Sequence, residues 1–534
     1  MQADLAVGPG LAAWSRAHRQ RSPVVFGGLV LALGAADLTA TVVAGAFIAQ
    51  VLLVALIVGS AVAVWIWRHP ERGIYVLFGA STVLPMYYSN AFPDYVGQFL
   101  PFFLDISMWT HTRLIVSVNE LFMALVLLIL IIKSRHGRAR FDGGMLMLPL
   151  GLYMLMVGIS AVHGLLSGGT MYLVLWEIRA QVYLFVAYIL TCSLIRSRDQ
   201  VWALFWILVI AVGLRAVEGT IRFFVMARGH AQELYPHEQS FFFNGFLTLY
   251  LILLFYRSPP RLRRVATYFL PFVAFITLAN ERRAAIAALG VAWIALGLIV
   301  YVTRPEHRNL IRAIAITLAI VFPPYYLAFQ HQNGSIALPA RAVASFVSPT
   351  ARDALSDQYR NNEDADIRFT MKTSPIYGYG FGKPMLLPYP LPDISKIYVF
   401  WNIMPHNSIL WVWMRLGTIG YLLFWFLIGQ GIIVSLGLAR RLRDPRLQGI
   451  AVFVALMIVQ EVIFGYLDLQ WVKYGNLIAV GVLLGLLSRL PAADSSPEPV
   501  EEITSASPRQ AEPLPMPRPF SVADGKLRRT SIPR

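Results

Sequence analysis

Long apolar stretches constrain this chain more than any other feature of its sequence. A helix needs about 20 consecutive apolar residues to cross the roughly 30 Å hydrocarbon core of a bilayer. Stretches of that kind follow one another through most of the sequence. Only 14% of the residues are charged, whereas about 25% is usual in soluble proteins. We therefore predict an all-α polytopic integral membrane protein with about 12–14 transmembrane helices.

The hydropathy pattern predicts where the helices lie and divides the chain into five parts. A cytoplasmic segment (1–23) precedes transmembrane helices with short loops (24–329), a large extracytoplasmic loop (330–405), a loop-end helix with the last spans (406–489), and a disordered cytoplasmic tail (490–534) that is rich in Pro, Ser and Glu. The predicted spans are two within 24–67, then 73–88, 114–132, 145–165, 172–195, 201–226, 241–256, 265–279, 284–302, 311–329, 418–438, 447–467 and 471–487.

Basic residues mark one side of the predicted bundle. They cluster at every second junction between spans, as the positive-inside rule expects of cytoplasmic loops. The net charge of +16 is then an orientation signal that also attracts anionic membrane lipid, and no nucleic acid partner is needed to explain it. The long loop 330–405 falls on the opposite side, and loops of that length are usually functional or disordered. Its aromatic, Gly and Pro residues favour order, with a short surface helix at 340–357.

Four arginines lie on or near the outer side, against this rule: Arg282, Arg283, Arg179 and Arg215. Charges in a membrane are costly and usually mark a substrate path. The arginine fork matches phosphate oxygens, and a lipid-linked diphosphate sits at this depth, so we predict that these four residues bind a diphosphate. The alternative is ion pairing, of Glu177 with one arginine and of Glu218 with Arg215 or Arg222, or an interfacial anchor in the case of Arg283.

The outer loop contains a turn-dense segment, Pro375-Ile-Tyr-Gly378-Tyr-Gly380-Phe-Gly382. Glycine accepts positive φ and lets a backbone approach closely. The segment is compatible with a floor for a sugar or phosphate, beside Tyr379 and Lys383, or with a plain tight loop. It is not a dinucleotide fingerprint, because no strand precedes it and no cofactor-binding helix follows it.

Several motifs occur in a fixed order along the chain. They are Arg283-Ala-Ala-Ile-Ala-Ala-Leu289, Arg368, Pro375-x-x-Gly378-x-Gly380-x-Gly382, His406-Asn407-x-x-Leu410 and Gly417-x-x-Gly420. From Arg179 to Tyr421 their order and spacing resemble the O-antigen ligase and O-antigen polymerase superfamily. The resemblance implies a membrane glycosyltransferase with an undecaprenyl-diphosphate-linked glycan as donor. It also implies an essential His406, an arginine at the donor in Arg283, and substrate-binding roles for Arg368, Gly378, Gly380, Gly382 and Asn407.

His406 stands at the predicted start of a helix. It follows Pro405 and precedes Asn407 and Ser408, which are good N-cap residues for a helix through Leu416. Histidine is the commonest general base near neutral pH, and a sugar hydroxyl that attacks an anomeric carbon must lose its proton. We predict that His406 is this catalytic base, with a pKa lowered by neighbouring positive charge. The alternative is a structural hydrogen bond to the loop backbone.

Two classes of function follow from these residues. The first is an inverting glycan transferase on the outer face of the cytoplasmic (inner) membrane, with a hydroxyl-bearing glycan or lipid as acceptor; an O-antigen ligase and an O-antigen or exopolysaccharide polymerase differ only in that acceptor. The second is a lipid-linked-sugar flippase, whose alternating access usually comes with broken helices in matching halves, and the sequence shows none. No cofactor and no metal are expected, because Cys192 is the single cysteine and nothing has metal-ligand spacing.

The orientation can be tested directly. The one-sided basic junctions predict that both chain ends are cytoplasmic and that 330–405 lies outside. A cysteine introduced at Ser348 should react with an impermeant maleimide in intact cells whose outer envelope, if present, has been permeabilised. Labelling that occurs only after lysis would contradict this layout.

Overall fold

A computed structural model of the protein describes residues 47–86, 102–107, 115–137, 139–229, 234–332, 335–348, 351–395 and 398–495. These residues form helices and connections, with one isolated bridge between Asp105 and Ser117 and no β-strand among them. The predicted segment 1–23, most of the first span pair and the tail from 496 onward lie outside the described residues.

The helices follow in this order. They are α1 (Phe47–Arg68), α2 (Glu71–Val83), α3 (Val118–Arg135), α4 (Met147–Leu166), α5 (Met171–Leu194), α6 (Arg198–Val225), α7 (His237–Phe255), α8 (Pro260–Ala279), α9 (Arg283–Thr303), α10 (Arg308–Phe329), α11 (Leu338–Val347), α12 (Ala351–Thr373), α13 (Ser408–Arg441), α14 (Pro445–Leu467), α15 (Tyr474–Leu487) and α16 (Leu490–Ser495).

Nine of the helices in the described part of the chain are long and apolar enough to cross a membrane. They are α4 to α10, α13 and α14, and shorter apolar helices lie at 57–68 and in α15. The prediction of an all-α polytopic membrane protein is therefore confirmed. The predicted helix through Leu416 and the span from Thr418 are also confirmed, because α13 is interrupted at Gly417 (φ 67°, ψ −176°), a conformation that favours glycine.

Two predicted elements are wrong in their extent. The span expected at 73–88 is replaced by α2, whose 13 residues rise only about 20 Å; it ends before Pro85, since proline disfavours helix in the residue before it. The surface helix expected at 340–357 is two helices, α11 and α12, with Pro349 between them in sequence. Proline lacks the N–H that a continuous helix needs there.

The core of the bundle is the pair α5 and α15. Helix α15 is buried along its whole length, and α5 is its main neighbour. Small residues allow this close approach: a Cβ at Gly485 would lie 2.8 Å from the carbonyl oxygen of Tyr188. Close backbone contact through small residues is a common way to pack helices in membranes.

The connection between α12 and α13 folds back into this bundle. Its three motif glycines have φ values of 84°, 85° and 86°, as the sequence predicts for Gly378, Gly380 and Gly382. A Cβ at Gly380 would lie 2.7 Å from Cα of Gly164 in α4. The glycines are therefore needed both for their positive φ and for contact with the backbone of a span.

A buried ion pair holds this connection in place. Glu177 on α5 and Arg415 on α13 are both fully buried, with 2.6 Å between Oε1 and Nε. Glu177 Oε2 accepts a hydrogen bond from Gly382 N at 2.6 Å, and Arg415 donates to the carbonyl oxygens of Gly380 and Ile403 at 3.0 and 2.9 Å. The expected ion pair of Glu177 exists, but its partner is Arg415 and not one of the outer arginines for which pairing was the alternative. One pair thus links two spans to both ends of the connection.

Loss of one partner of this ion pair should destabilise the protein strongly. Arg415→Met leaves the Glu177 carboxylate buried without its counter-charge, which costs about 3–5 kcal/mol in comparable pairs. The double variant Glu177→Gln/Arg415→Met removes both charges and should recover much of the loss. The three proteins are compared by their thermal unfolding temperatures in detergent, followed by tryptophan fluorescence. An Arg415→Met variant as stable as the wild type would contradict the stabilising role of the pair.

Candidate active site

A cavity of about 220 Å³ opens where the connection between α12 and α13 meets the bundle. It is lined by His237, Ile394, Tyr398, Met404, His406, Asp468, Leu469 and Lys473. A concave site that combines apolar walls with a few convergent polar groups is typical of a ligand or active site. The predicted base, His406, is part of this lining.

A buried carboxylate holds His406. Glu363 on α12 is 1% exposed, and its Oε2 lies 3.0 Å from His406 Nδ1. The same oxygen accepts a hydrogen bond from the backbone N–H of His406 at 2.8 Å, so the carboxylate holds both the ring and the main chain. The ring also meets the edge of Tyr359, with 5.7 Å between the ring centroids.

This contact decides which nitrogen of His406 is available. A carboxylate only accepts hydrogen bonds, so the proton of the neutral ring sits on Nδ1. Nε2 then carries the lone pair, and it has no hydrogen-bond partner among the described residues. A histidine oriented by a carboxylate, with its other nitrogen free, is the arrangement of a general base.

The environment of His406 also sets its pKa, and here the sequence-based expectation is wrong. Burial alone lowers the pKa of the imidazole, but the hydrogen bond and the negative charge of Glu363 outweigh burial and raise it above its ordinary value. Asp468 adds to the rise and Arg360 opposes it. The expected lowering assumed that positive charge dominates near the ring, whereas the nearest charge is a carboxylate.

The second histidine of the cavity joins an acid to an arginine. His237, at the start of α7, contacts Asp468 through Nδ1, and Arg282 Nη1 lies 2.6 Å from its Nε2. Because a guanidinium only donates, Nε2 must accept and the ring proton points to Asp468. Burial opposes ionisation of Asp468, but the contact with His237 and the charge of Arg360 outweigh it and hold its pKa below the usual value. His237 therefore positions Arg282.

Two more cations lie close to the cavity. Arg360 precedes Glu363 by one turn of α12, is close enough to influence the pKa values of both His406 and Asp468, and has a buried Nε without a hydrogen-bond partner. Lys473 lines the cavity, with its Nζ 3.4 Å from Oε2 of Glu238. Arg282, Arg360 and Lys473 therefore place positive charge near the residues that line the cavity.

Arg283 does not share this environment. Its guanidinium makes a two-pronged contact with Asp357 of α12, at 2.7 and 3.3 Å, and donates to the carbonyl oxygen of Ser345 in α11 at 3.2 Å. The predicted donor-binding residue Arg283 thus fastens the loop helices to the first turn of α9. Its neighbour Arg282 is the one that reaches the cavity lining.

The other two predicted arginines have acidic partners. Arg179 is 2.8 Å from Asp105 and 3.0 Å from Glu120. Arg215 is 2.6 Å from Glu218, which also pairs with Arg222. The ion-pairing alternative for Glu218 is thus confirmed, and neither arginine lines the cavity.

Arg215 is nevertheless linked to the site through Tyr235. Its guanidinium lies 4.5 Å from the centre of the Tyr235 ring. The carbonyl oxygen of Tyr235 accepts a hydrogen bond from Arg282 at 3.2 Å. Arg215 is therefore linked to Arg282 through a single residue.

The residues predicted to bind substrate have varied surroundings. Arg368 is more than half exposed and lies 3.5 Å from Asp364. Asn407 caps α13 by accepting from Leu410 N at 3.0 Å and donates to Asp364. The three motif glycines contact the bundle and do not line the cavity. Their placement favours a structural role over a floor for sugar or phosphate.

Sequence reasoning missed the partner of the predicted base. Glu363 and Arg360 lie in a stretch that we had treated only as part of the long loop, and the spacing of Tyr359, Glu363, Ile367 and Thr370 was the available signal. Positions three and four apart share one face of a helix, and in α12 the last three are buried. Asp468 gave no comparable signal, because it reaches the cavity only through the packing of α14.

The fold and the cavity together define a class: a polytopic helical membrane protein with a carboxylate-held histidine at one end of its bundle. Residues 266–425 match the O-antigen ligase family, which confirms the resemblance to the O-antigen ligase and polymerase superfamily. The matched region contains Arg282, Arg360, Glu363 and His406. The match supports a membrane glycan transferase of this general type. No curated protein matches the chain.

The pKa of His406 should depend on Glu363. Diethyl pyrocarbonate reacts with neutral imidazole, so the modification rate of His406 rises with pH through its pKa. Since Glu363 raises this pKa, Glu363→Gln should move the midpoint to lower pH, measured by mass spectrometry of the peptide that contains His406. Asp366→Asn, one turn further along α12, is the matched control and should leave the midpoint in place. An unchanged midpoint in Glu363→Gln would show that the carboxylate does not tune the ring.

Proposed function

We propose that this protein is an inverting, metal-independent glycan transferase that moves the glycan of an undecaprenyl-diphosphate-linked donor onto a hydroxyl acceptor. The observation that carries the proposal is the Glu363–His406 pair, in which Glu363 holds Nδ1 of a histidine that lines a cavity near two arginines. The match of residues 266–425 to the O-antigen ligase family supports it. The reaction takes place at the outer face of the inner membrane.

The proposed reaction is a single displacement. His406 Nε2 accepts the proton of the acceptor hydroxyl while its oxygen attacks the anomeric carbon. The bond between that carbon and the diphosphate oxygen breaks, so the glycan passes to the acceptor and undecaprenyl diphosphate leaves. Attack from the side opposite the leaving group inverts the anomeric centre. The proton remains on His406, where the charge of Glu363 stabilises the imidazolium until solvent removes it.

Arg282 and Arg360 are the proposed ligands of the donor diphosphate. Both are close to residues of the cavity, and Arg360 has a buried Nε without a partner. Guanidinium groups stabilise the negative charge that grows on a departing diphosphate. Because these cations supply the charge compensation, chelators should leave the activity unchanged. Arg283 then acts indirectly. It holds α12 in place through Asp357, and α12 carries Glu363.

The acceptor distinguishes the two forms of the proposal. A ligase transfers the glycan to a different carrier, such as a lipid-linked core, and a polymerase transfers it to a second lipid-linked repeat. We propose the ligase form first and the polymerase form as the alternative, and the family match is compatible with both. Purified protein given one donor and both acceptors separates the two forms by the product that accumulates.

Variants of the cavity should separate chemistry from donor binding. His406→Ala should lower the transfer rate by about 10²–10⁴-fold, the usual contribution of a positioned base, and leave donor affinity near the wild-type value. Arg282→Ala should weaken binding of the diphosphate donor. Transfer is measured with purified protein in detergent, and donor binding by the thermal stabilisation that the lipid diphosphate produces.

Two controls test the assigned roles. His406→Asn keeps a hydrogen-bonding side chain but cannot act as a base, so wild-type activity in this variant would contradict the base. Arg283→Ala and Asp357→Ala remove opposite ends of one contact. Equal losses in the two variants, with donor affinity retained, are expected of an anchor. If Arg283→Ala loses donor affinity and Asp357→Ala does not, Arg283 is a ligand of the donor.

A further inference from the structure

Helix α10 stands apart from the rest of the bundle. None of its residues is buried, and residues 312–321 are all exposed. It meets α9 near the short turn that joins them, where Arg308 Nε donates to the carbonyl oxygen of Tyr301 at 2.9 Å. At its other end Tyr325 donates to the carbonyl oxygen of Ile336. Between these ends lies a gap in the membrane-spanning part of the bundle.

Helix α9 faces open space along part of its surface. Ile294 and Leu298 are exposed there, and a Cβ at Gly290 or Gly297 would meet no atom within 4 Å. Helix α11 contacts α8, α9 and α10, and so bridges the end of the gap nearest the cavity. The gap is therefore apolar along its length and closed at one end by a short helix.

The closed end of the gap is also the arginine end. Arg341 of α11 pairs with Glu281 at 2.9 Å, and Ser345 of the same helix accepts from Arg283. Arg282, the N-cap residue of α9, lies next to these contacts in the chain and reaches His237 in the cavity lining. An elongated apolar molecule with an anionic head would fit here, with its apolar part in the gap and its head at the arginines.

We infer that the gap between α9 and α10 holds the polyprenyl chain of the donor, with the diphosphate at Arg282. The inference rests on the proposed function and names the part of the protein that recognises the lipid. The isoprenoid enters the gap from the bilayer, so its recognition depends on packing against the helices and on the diphosphate at Arg282.

A second apolar groove, of about 300 Å³, lies between α3 and α5 and also has an arginine in its lining, so it is a competing site. At that groove Arg179 is already paired with Asp105 and Glu120. Two carboxylates against one guanidinium leave a local excess of negative charge, which repels a diphosphate. The charges therefore favour the α9–α10 gap.

Filling the gap should make the enzyme sensitive to donor chain length. The variant Gly290→Leu/Gly297→Leu adds side chains where no atom lies within 4 Å, and leucine favours helix over glycine. We expect the KM for an undecaprenyl donor to rise by roughly tenfold, the effect of about 1.4 kcal/mol, and the KM for a donor on a short farnesyl chain to stay at the wild-type value. Gly429→Leu on α13, also without neighbours, is the matched control and should change neither.

The outcomes separate this inference from the proposed function. Wild-type protein that transfers from neither donor would overturn the proposed function. Wild-type transfer from both donors, with equal KM changes or none in the double variant, would overturn the α9–α10 site alone. A change of oligomeric state in the double variant without a change in KM would assign the gap to a second copy of the chain, and would also overturn it.

Labelling offers a measurement that needs no variant. An undecaprenyl diphosphate analogue with a photoreactive group near the end of its chain should mark peptides from 283–303 and 308–329 in the wild-type protein. Marked peptides from α3 and α5 instead would place the chain in the competing groove, and marked peptides from 24–46 would assign the α9–α10 gap to that part of the protein.

Discussion

The buried ion pair between Glu177 and Arg415 is the contact on which the rest of the site depends. Two fully buried charges are costly unless each has its partner and further hydrogen bonds. Here three further hydrogen bonds go to the chain between α12 and α13, through Gly382 N and the carbonyl oxygens of Gly380 and Ile403, and Trp411 of α13 donates one more to Glu177. The pair therefore fixes a long connection against two spans. One of the fixed residues, Ile403, lies only three residues before His406.

That placement explains why the loop helices can build a site on a membrane bundle. Helix α12 brings Glu363 to His406 at one end, and Arg283 holds the same helix through Asp357. Arg282, one residue earlier, contacts the cavity lining through His237. The two adjacent arginines thus have different roles. Arg283 positions the helix that carries Glu363, and Arg282 brings positive charge to the cavity.

Much of the fold was predictable because hydropathy and glycine have direct physical consequences. The apolar stretches predicted most of the described spans, and the helix predicted through Leu416 and the span predicted from Thr418 agree with the break in α13 at Gly417. The site was predictable only in part. His406 has a local signal in its capping residues, but Glu363, His237 and Asp468 come near it only through tertiary packing. The pKa of His406 was predicted in the wrong direction for the same reason, because the sequence showed the arginines and not the contact with Glu363.

The most direct test of this account is an experimental structure with a non-reactive phosphonate analogue of the lipid-linked donor. The account predicts that the two phosphorus-containing groups lie between Arg282 and Arg360, within hydrogen-bond distance of both, and that the anomeric carbon faces Nε2 of His406 across the cavity. A donor bound at Arg179 or at the Arg215–Glu218 pair, with the His406 cavity empty, would contradict it.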